Sequence, residues 1–330
     1  VAEHVALPAS LSAILSYAHL HDDMAAVESL LLQRTNSRSP LIAAASEYTV
    51  RAGGKRLRAA LALLAGRLGN YSLERVIHPA AAAELIHAAS LVHDDLVDKA
   101  NQRRGRMTVH ARWDDDVALM VGDYFFALAA GEMALSPDPR IIAFYAQAVQ
   151  TIVEGELSPV MQVAPFAEAE RQYLYKTGAK TATLFEAACK AGITATQGSP
   201  EAIETMGRYG YDLGLAFQII DDVLDFVGDE RTLGKPAGND LRQGTITLPL
   251  IYAVARGGSP LLQQIVHEQP SEAAVQQALA EVLDRGGVAA ALADARAYGQ
   301  RAINHLQHFP ASPAKRALID LTAFVIERQM

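Results

Sequence analysis

The sequence predicts an all-α protein, and three observations carry that expectation. Of 330 residues half are hydrophobic, while aromatics supply only 6%; the apolar share is mostly alanine and leucine, which suits close-packed helices better than sheet. Apolar residues recur at helical spacing along most of the chain. Proline and glycine clusters cut that pattern into helix-length pieces. The length exceeds the usual domain size, but one large helical core can hold it. Residues 1–330 are therefore read as a single helical bundle around a central cavity.

Residues 7–32 read as one packing helix, with Pro8 near its start. A polar turn over 36–40 leads to a short helix that runs to about Val50 and stops at Gly53-Gly54. The next helix is expected from Lys55 to about Leu68. Lys55 and Arg58 would then share one side of its first turn. Free backbone N–H groups attract anions there, so two added cations make a clamp for a diphosphate. Arg56 is turned away by helical phase. A solvated basic turn is the plainer reading of GGKRLR by itself.

Residues 73–98 form the long central helix, which ends in an acidic run. Next comes a basic stretch over 99–107, with Arg103, Arg104 and Arg106. Core helices are expected over 115–135 and 141–157, parted by Ser136-Pro137-Asp138-Pro139, through which neither could continue. Pro159 and Pro165 bracket an irregular stretch before a helix at Ala167. Over 173–193 the small Gly178 and Ala179 precede Lys180-Thr181, and small neighbours let a helix kink so that a cation reaches into a cavity. The glycine-rich stretch 228–244, with Lys235, reads as a loop that closes over bound substrate. Beyond Pro249 amphipathic helices turn near Gly257-Gly258, Gly286-Gly287 and 310–313. That region shows no catalytic signature.

The chemistry is concentrated in two acidic clusters. In HDDLVD, Asp94 and Asp98 lie one turn apart on one helix face, with Asp95 beside Asp94. Like charges so close cost free energy unless a cation offsets them. Hard oxygen ligands one turn apart suit Mg²⁺, which keeps waters and shares its coordination with substrate phosphates. The signature returns in QIIDDVLDFVGDE as Asp221, Asp222 and Asp225, with Gln218 on the same helix face as Asp221. Two such clusters can face one another across a cavity and hold a magnesium-bridged diphosphate. One acidic run on a helix is usually a solvated face. These two instead follow the apolar stretches AAAAELIHAASLVH and GYDLGLAFQII, where buried helices emerge.

Composition excludes several other classes. A formal charge of −8 and a pI near 5.7 argue against nucleic acid, which calls for a broad basic face. The lone Cys189 has neither a disulfide partner nor metal-ligand spacing, so it reads as a small buried residue and fits a reducing, cytoplasmic compartment. The start VAEHVALPAS lacks the basic segment and apolar core of a secretory leader. No run of about twenty apolar residues escapes charge, so no stable membrane insertion is expected.

Between Gly53 and Pro249 the segments GGKRLR, LVHDDLVD, QRRG, GDYFFALA, GAKTATLF, QIIDDVLD and GKPAGNDLRQGTITLPL follow in order. Through them the chain resembles the trans-isoprenyl diphosphate synthases of the polyprenyl synthetase family. The resemblance implies the isoprenoid synthase type I fold, Mg²⁺ as cofactor, a homodimer, and head-to-tail condensation of isopentenyl diphosphate with an allylic diphosphate. It assigns Asp94, Asp95, Asp98, Asp221, Asp222 and Asp225 to metal. Lys55, Arg58, His87 and Arg104 fall to isopentenyl diphosphate. Arg103, Lys180, Thr181, Gln218 and Lys235 fall to the allylic diphosphate, with Lys180, Thr181 and Gln218 acting in catalysis. His93, off the metal face, stays structural, and Gly122-Asp123-Tyr124 has a packing role. One departure from the family is Thr245, which stands where many relatives carry a phosphate-binding lysine.

Product length should depend on what lies one turn below Asp94. Family members that stop early commonly place an aromatic there, whereas Ala89 and Ser90 leave the floor open. Repeated condensation to a long all-trans chain is expected, with Phe125 and Phe126 as deeper barriers. Alternatives are a geranylgeranyl diphosphate synthase, a class I terpene cyclase and a non-catalytic length-setting subunit. A cyclase would not need Lys55, Arg58 and Arg104; a non-catalytic subunit would not need two intact acidic clusters.

Overall fold

A computed structural model of the chain describes residues 11–103, 105–228, 237–267 and 270–327. Its helices begin with α1 (Leu11–Tyr17), α2 (His21–Arg34), α3 (Pro40–Arg51), α4 (Leu57–Gly66) and α5 (Leu73–Val97). A hairpin of two-residue strands follows, β1 (Gln102–Arg103) and β2 (Arg106–Met107), antiparallel with Arg103 opposite Arg106. Next come α6 (Asp115–Ala134), α7 (Arg140–Glu156) and α8 (Phe166–Thr177). A π-helical turn, Gly178–Ala182, leads into α9 (Thr183–Ala195) and α10 (Pro200–Val227). The last helices are α11 (Leu248–Ala255), α12 (Glu272–Asp284), α13 (Gly287–His305) and α14 (Pro313–Ile326). Apart from the hairpin, the described structure is helical, as the composition predicts.

The described chain divides into two compact units. One holds the chain to Val149, Leu184–Gly210 and His305–Leu321; the other holds Gln150–Thr183, Tyr211–Asn304 and the chain from Thr322. In the first, α5 packs along α6 and also meets α2 and α4. Every residue of α4 is buried. Such a helix needs its orphan N–H groups satisfied inside the core, and the buried Glu84 of α5 accepts from the Ala59 N–H at 3.0 Å. Small residues let α9 close on α4. A Cβ on Gly192 would lie 2.0 Å from the Ala62 carbonyl oxygen. Gly192→Ala is therefore expected to cost at least about 2 kcal/mol through overpacking against rigid backbone, read as a lower urea midpoint at unchanged slope.

In α6, Ala118, Val121, Gly122, Phe125, Ala129 and Glu132 are buried. A Cβ on Gly122 would meet the His93 ring at 2.1 Å, and His93 Nε2 lies 3.2 Å from the Leu119 carbonyl. The expected packing roles of Gly122 and His93 follow from this contact. By length and composition α6 is apolar enough to cross a membrane, but Asp123 and the buried Glu132 interrupt its apolar run, in line with the expectation that charge breaks every such run. The other two acids of α6, Asp115 and Asp116, lie in its first turn.

Two predicted helix boundaries move. The helix expected over 7–32 is broken, because His19 adopts a left-handed φ of 55° and its carbonyl accepts from Arg67 Nη2 at 2.9 Å. The helix expected from Lys55 starts at Leu57, because Arg56 takes φ 46° and caps it from outside. That conformation costs about 1 kcal/mol for a residue with a Cβ. It is offset by bonds from Arg56 to Glu28 at 2.7 Å and to the Val50 carbonyl at 2.8 Å. Arg56 does point away, but a turn outside the helix sets its direction rather than helical phase.

In the second unit, Tyr173 of α8, Ile219, Ile220 and Val223 of α10 and Leu250 and Ile251 of α11 share one buried apolar cluster. The kink expected near Lys180 is the π-helical turn, a wider coil that re-aims side chains. Close contacts surround it. A Cβ on Gly155 would lie 2.4 Å from that of Ala179, and one on Gly214 would lie 2.5 Å from the Cα of Ala182.

Candidate active site

In the first unit the acidic set occupies the C-terminal end of α5. Asp94 is half-buried, Asp95 buried and Asp98 exposed, and the Asp98 N–H caps the helix by donating to the Asp94 carbonyl at 2.8 Å. The negative end of a helix dipole makes each carboxylate there more costly, and a basic residue in the last turn would usually offset it. The last turn of α5 has none. Arg103, from the hairpin, reaches Asp95 Oδ1 at 2.7 Å. Burial raises the Asp95 pKa, and the Arg103 guanidinium opposes that rise.

The hairpin is held by Tyr48 of α3. Its ring lies 4.4 Å from the guanidinium carbons of both Arg106 and Arg112, and its hydroxyl donates to the Met107 carbonyl at 2.8 Å. Arg104, predicted to bind isopentenyl diphosphate, lies outside the described residues.

The predicted pair Lys55 and Arg58 is split by the shifted start of α4. Lys55 is exposed and precedes the helix, whereas Arg58 sits in its first turn. Arg58 is only 9% exposed and stacks 4.9 Å from the centre of the Phe185 ring. The helix N-terminus expected at Lys55 therefore falls two residues later, between the two cations. His87 lies two turns before Asp94, half-buried, its carbonyl accepting from the Ser90 hydroxyl at 2.9 Å. Of the two chain-length positions Ala89 is wholly covered, while Ser90 keeps accessible surface. Phe125 is buried, and Phe126 packs 5.8 Å from the His93 ring.

In the second unit Asp221, Asp222 and Asp225 lie near the C-terminal end of α10, again with no basic residue in the last turn. Asp222 Oδ2 accepts from the Tyr173 hydroxyl at 2.6 Å and Oδ1 from Gln218 Nε2 at 2.9 Å. Thr181 donates to Gln218 Oε1 at 2.9 Å. The predicted residues Thr181 and Gln218 therefore meet, and Gln218 bonds Asp222, one turn on. Burial raises the Asp222 pKa strongly, with the nearby Asp240 and Asp221 carboxylates adding to it and the bonds from Tyr173 and Gln218 opposing it. Lys180, on the π-helical turn, pairs with Glu156 at 2.7 Å.

Asp225 ties down the returning chain. Its carbonyl accepts from the Gly238 N–H at 2.7 Å and its carboxylate from the Asp240 N–H at 2.9 Å. Gly238 has φ 80°, and a Cβ there would lie 2.9 Å from Val275, so both conformation and space require glycine. Lys235 lies outside the described residues, as does the rest of 229–236 in the predicted loop. Thr245, at the usual lysine position, donates its N–H to the Asp240 carbonyl at 2.8 Å. Cys189 is fully buried, and burial pushes its thiol pKa well up, which suits a packing role.

Both acidic sets fit a divalent cation by the chemistry of their donors. They are hard carboxylate oxygens gathered at helix ends whose dipoles favour positive charge. Among the described residues no three His, Cys, Asp or Glu side chains form a ready cage. Mg²⁺ does not require one, since it commonly takes one or two carboxylates and completes its shell with water and substrate phosphates.

A family model described as Polyprenyl synthetase matches residues 39–282, a span that holds both acidic sets. The chain belongs to the polyprenyl synthetase family. It is 37% identical over 313 residues to heptaprenyl diphosphate synthase component 2 of Geobacillus stearothermophilus, covering 94% of this chain and 98% of that protein. It is 34% identical over 309 residues to the octaprenyl diphosphate synthase of Haemophilus influenzae, covering 93% and 94%. A crystal structure of a polyprenyl synthase from Caulobacter crescentus CB15, complexed with calcium and isoprenyl diphosphate, superposes with a TM-score of 0.90 at 35% identity, covering 97% of this chain and 98% of that one. The all-α fold is that of the isoprenoid synthases. The chain is a prenyltransferase, and the heptaprenyl and octaprenyl synthases named above are of the long-chain type.

Two residues at the site were missed by sequence reasoning. Tyr173 lies 49 positions before its partner Asp222, and no local spacing marks it. Asp240, whose carboxylate acts on Asp222, sits in the quoted segment GKPAGNDLRQGTITLPL, but its role depends on the chain returning to the end of α10.

Proposed function

We propose that this polyprenyl synthetase condenses isopentenyl diphosphate repeatedly with an allylic diphosphate to make a long all-trans polyprenyl diphosphate. The observation that carries this reading is the pair of carboxylate sets at helix C-termini that lack a basic residue in the last turn. When bound, Mg²⁺ would supply Lewis-acid neutralisation of the departing diphosphate. Asp94, Asp95, Asp98, Asp221, Asp222 and Asp225 are its proposed ligands.

Arg103, Lys180 and Lys235 add positive charge to the leaving group, and Thr181 and Gln218 turn their dipoles toward the allylic carbon as it becomes positive. Lys55, Arg58, His87 and Arg104 hold isopentenyl diphosphate so that its double bond attacks that carbon. The proton lost afterwards goes to the departed diphosphate. Water would quench the cation, so the apolar Ala and Leu faces of the helices are part of the mechanism.

We further propose a homodimer in the cytoplasm. On α6 and just beyond it, Leu119, Met120 and Leu135 are 43%, 50% and 56% exposed, apolar side chains for a second copy to cover. Sedimentation of the purified chain at twice its monomer mass tests this. The designation "component 2" of the Geobacillus relative favours a second reading, in which a separate partner subunit is needed. One experiment addresses both. The purified chain alone, with farnesyl diphosphate and labelled isopentenyl diphosphate, is expected to incorporate label with Mg²⁺, to stop on chelation and to resume when Mg²⁺ is restored. Incorporation only after addition of a partner protein would favour the second reading.

A further inference from the structure

Tyr173 lies on α8, 3% exposed, and neither motif nor charge singles it out. Its hydroxyl donates to Asp222 Oδ2, while Gln218 Nε2 donates to Oδ1 of the same carboxylate. In its ionised form, which both of these donors favour, the Asp222 carboxylate can only accept. Held from two helices at once, Asp222 has its plane fixed. The carboxylate also fixes Gln218, because only the amide nitrogen can face it. The amide oxygen is then left for the Thr181 hydroxyl, which donates to it at 2.9 Å. With its proton committed there, Thr181 has only lone pairs to offer any further partner.

We propose that Tyr173 is a positioning residue for prenyl transfer: its buried hydroxyl orients Asp222 and, through Asp222 and Gln218, sets the hydrogen-bond polarity that leaves Thr181 with lone pairs for the developing allylic cation. This rests on the reading given under Proposed function. Tyr173 acts through the relay, by way of its bond to Asp222. A fully satisfied buried network of this kind is rigid and sensitive to the loss of one member.

The test is Tyr173→Phe, which removes the hydroxyl and keeps the ring. Turnover number is expected to fall about tenfold or more while the KM for isopentenyl diphosphate stays within about twofold, the pattern of an interaction used in the transition state. The melting temperature should remain near that of the parent. A second readout needs no turnover: calorimetric titration of Mg²⁺ in the presence of inorganic diphosphate should show weaker binding in the variant, since Asp222 is less well oriented. A double variant with Thr181→Ala should lose little beyond the worse single variant, because both act in one relay.

Unchanged turnover number and unchanged Mg²⁺ titration in Tyr173→Phe would overturn the proposal, as would losses that multiply in the double variant. If the phenylalanine form does not fold, Tyr173→Met serves in its place. Failure of the parent protein to elongate any primer would overturn the functional reading instead, and the calorimetric comparison would still decide the role of Tyr173.

Discussion

Alanine at both Asp94 and Asp221 is expected to lower turnover by a factor of about 10³ or more, equivalent to about 4 kcal/mol of lost transition-state stabilisation. The reasoning begins with what the helices present. α5 and α10 each end in three carboxylates, and neither has a cation in its last turn. That arrangement costs folding free energy through mutual repulsion and through the negative end of each dipole. It is useful only where a divalent cation and the substrate diphosphate compensate. Removing one carboxylate from each set should therefore leave the fold intact or slightly more stable while catalysis collapses. Steady-state rates at saturating Mg²⁺, together with melting temperatures, check both halves of the expectation. Near-normal turnover in the double variant would contradict the site assignment.

Phenylalanine at Ser90 is expected to shorten the product, shifting the distribution toward geranylgeranyl diphosphate with little loss in the rate of the first condensation. Ser90 lies one turn before Asp94 on the same face of α5 and keeps accessible surface. A chain growing away from the diphosphate must pass that level, and a ring fills the space that a hydroxymethyl leaves. Ala89→Phe is the less informative change. Ala89 is completely covered, so a ring there would overpack the helix interface at a cost of about 1–3 kcal/mol and confuse length control with destabilisation. Chromatography of products from Ser90→Phe against the parent, at equal isopentenyl diphosphate, reads the effect directly. An unchanged long product would mean that Ser90 does not line the path of the chain.

The helices were legible because burial imposes their period. The apolar stretch before Asp94 and the proline pair at Pro137 and Pro139 predict α5, α6 and α7 to within a residue or two. The acidic sets were legible for the same reason, since they fall where those apolar stretches stop. Boundaries set by single backbone conformations were not. The left-handed turns at His19 and Arg56 are held by distant partners, Arg67 for the first and Glu28 for the second. That hidden turn is why Lys55 and Arg58 both read as helical when only Arg58 lies on the helix. The π-helical turn at Lys180 was half legible: small residues announced a bend but not its form. Tyr173 was illegible, because its importance lies in one long-range hydrogen bond.

The most direct test of long-chain synthesis uses the unaltered protein with Mg²⁺, farnesyl diphosphate and excess isopentenyl diphosphate, followed by chromatography of the dephosphorylated products. A ladder that ends in prenyl alcohols longer than geranylgeraniol is the predicted result. A single geranylgeranyl product would contradict the account of length control, and no product with any allylic primer would contradict the catalytic assignment itself.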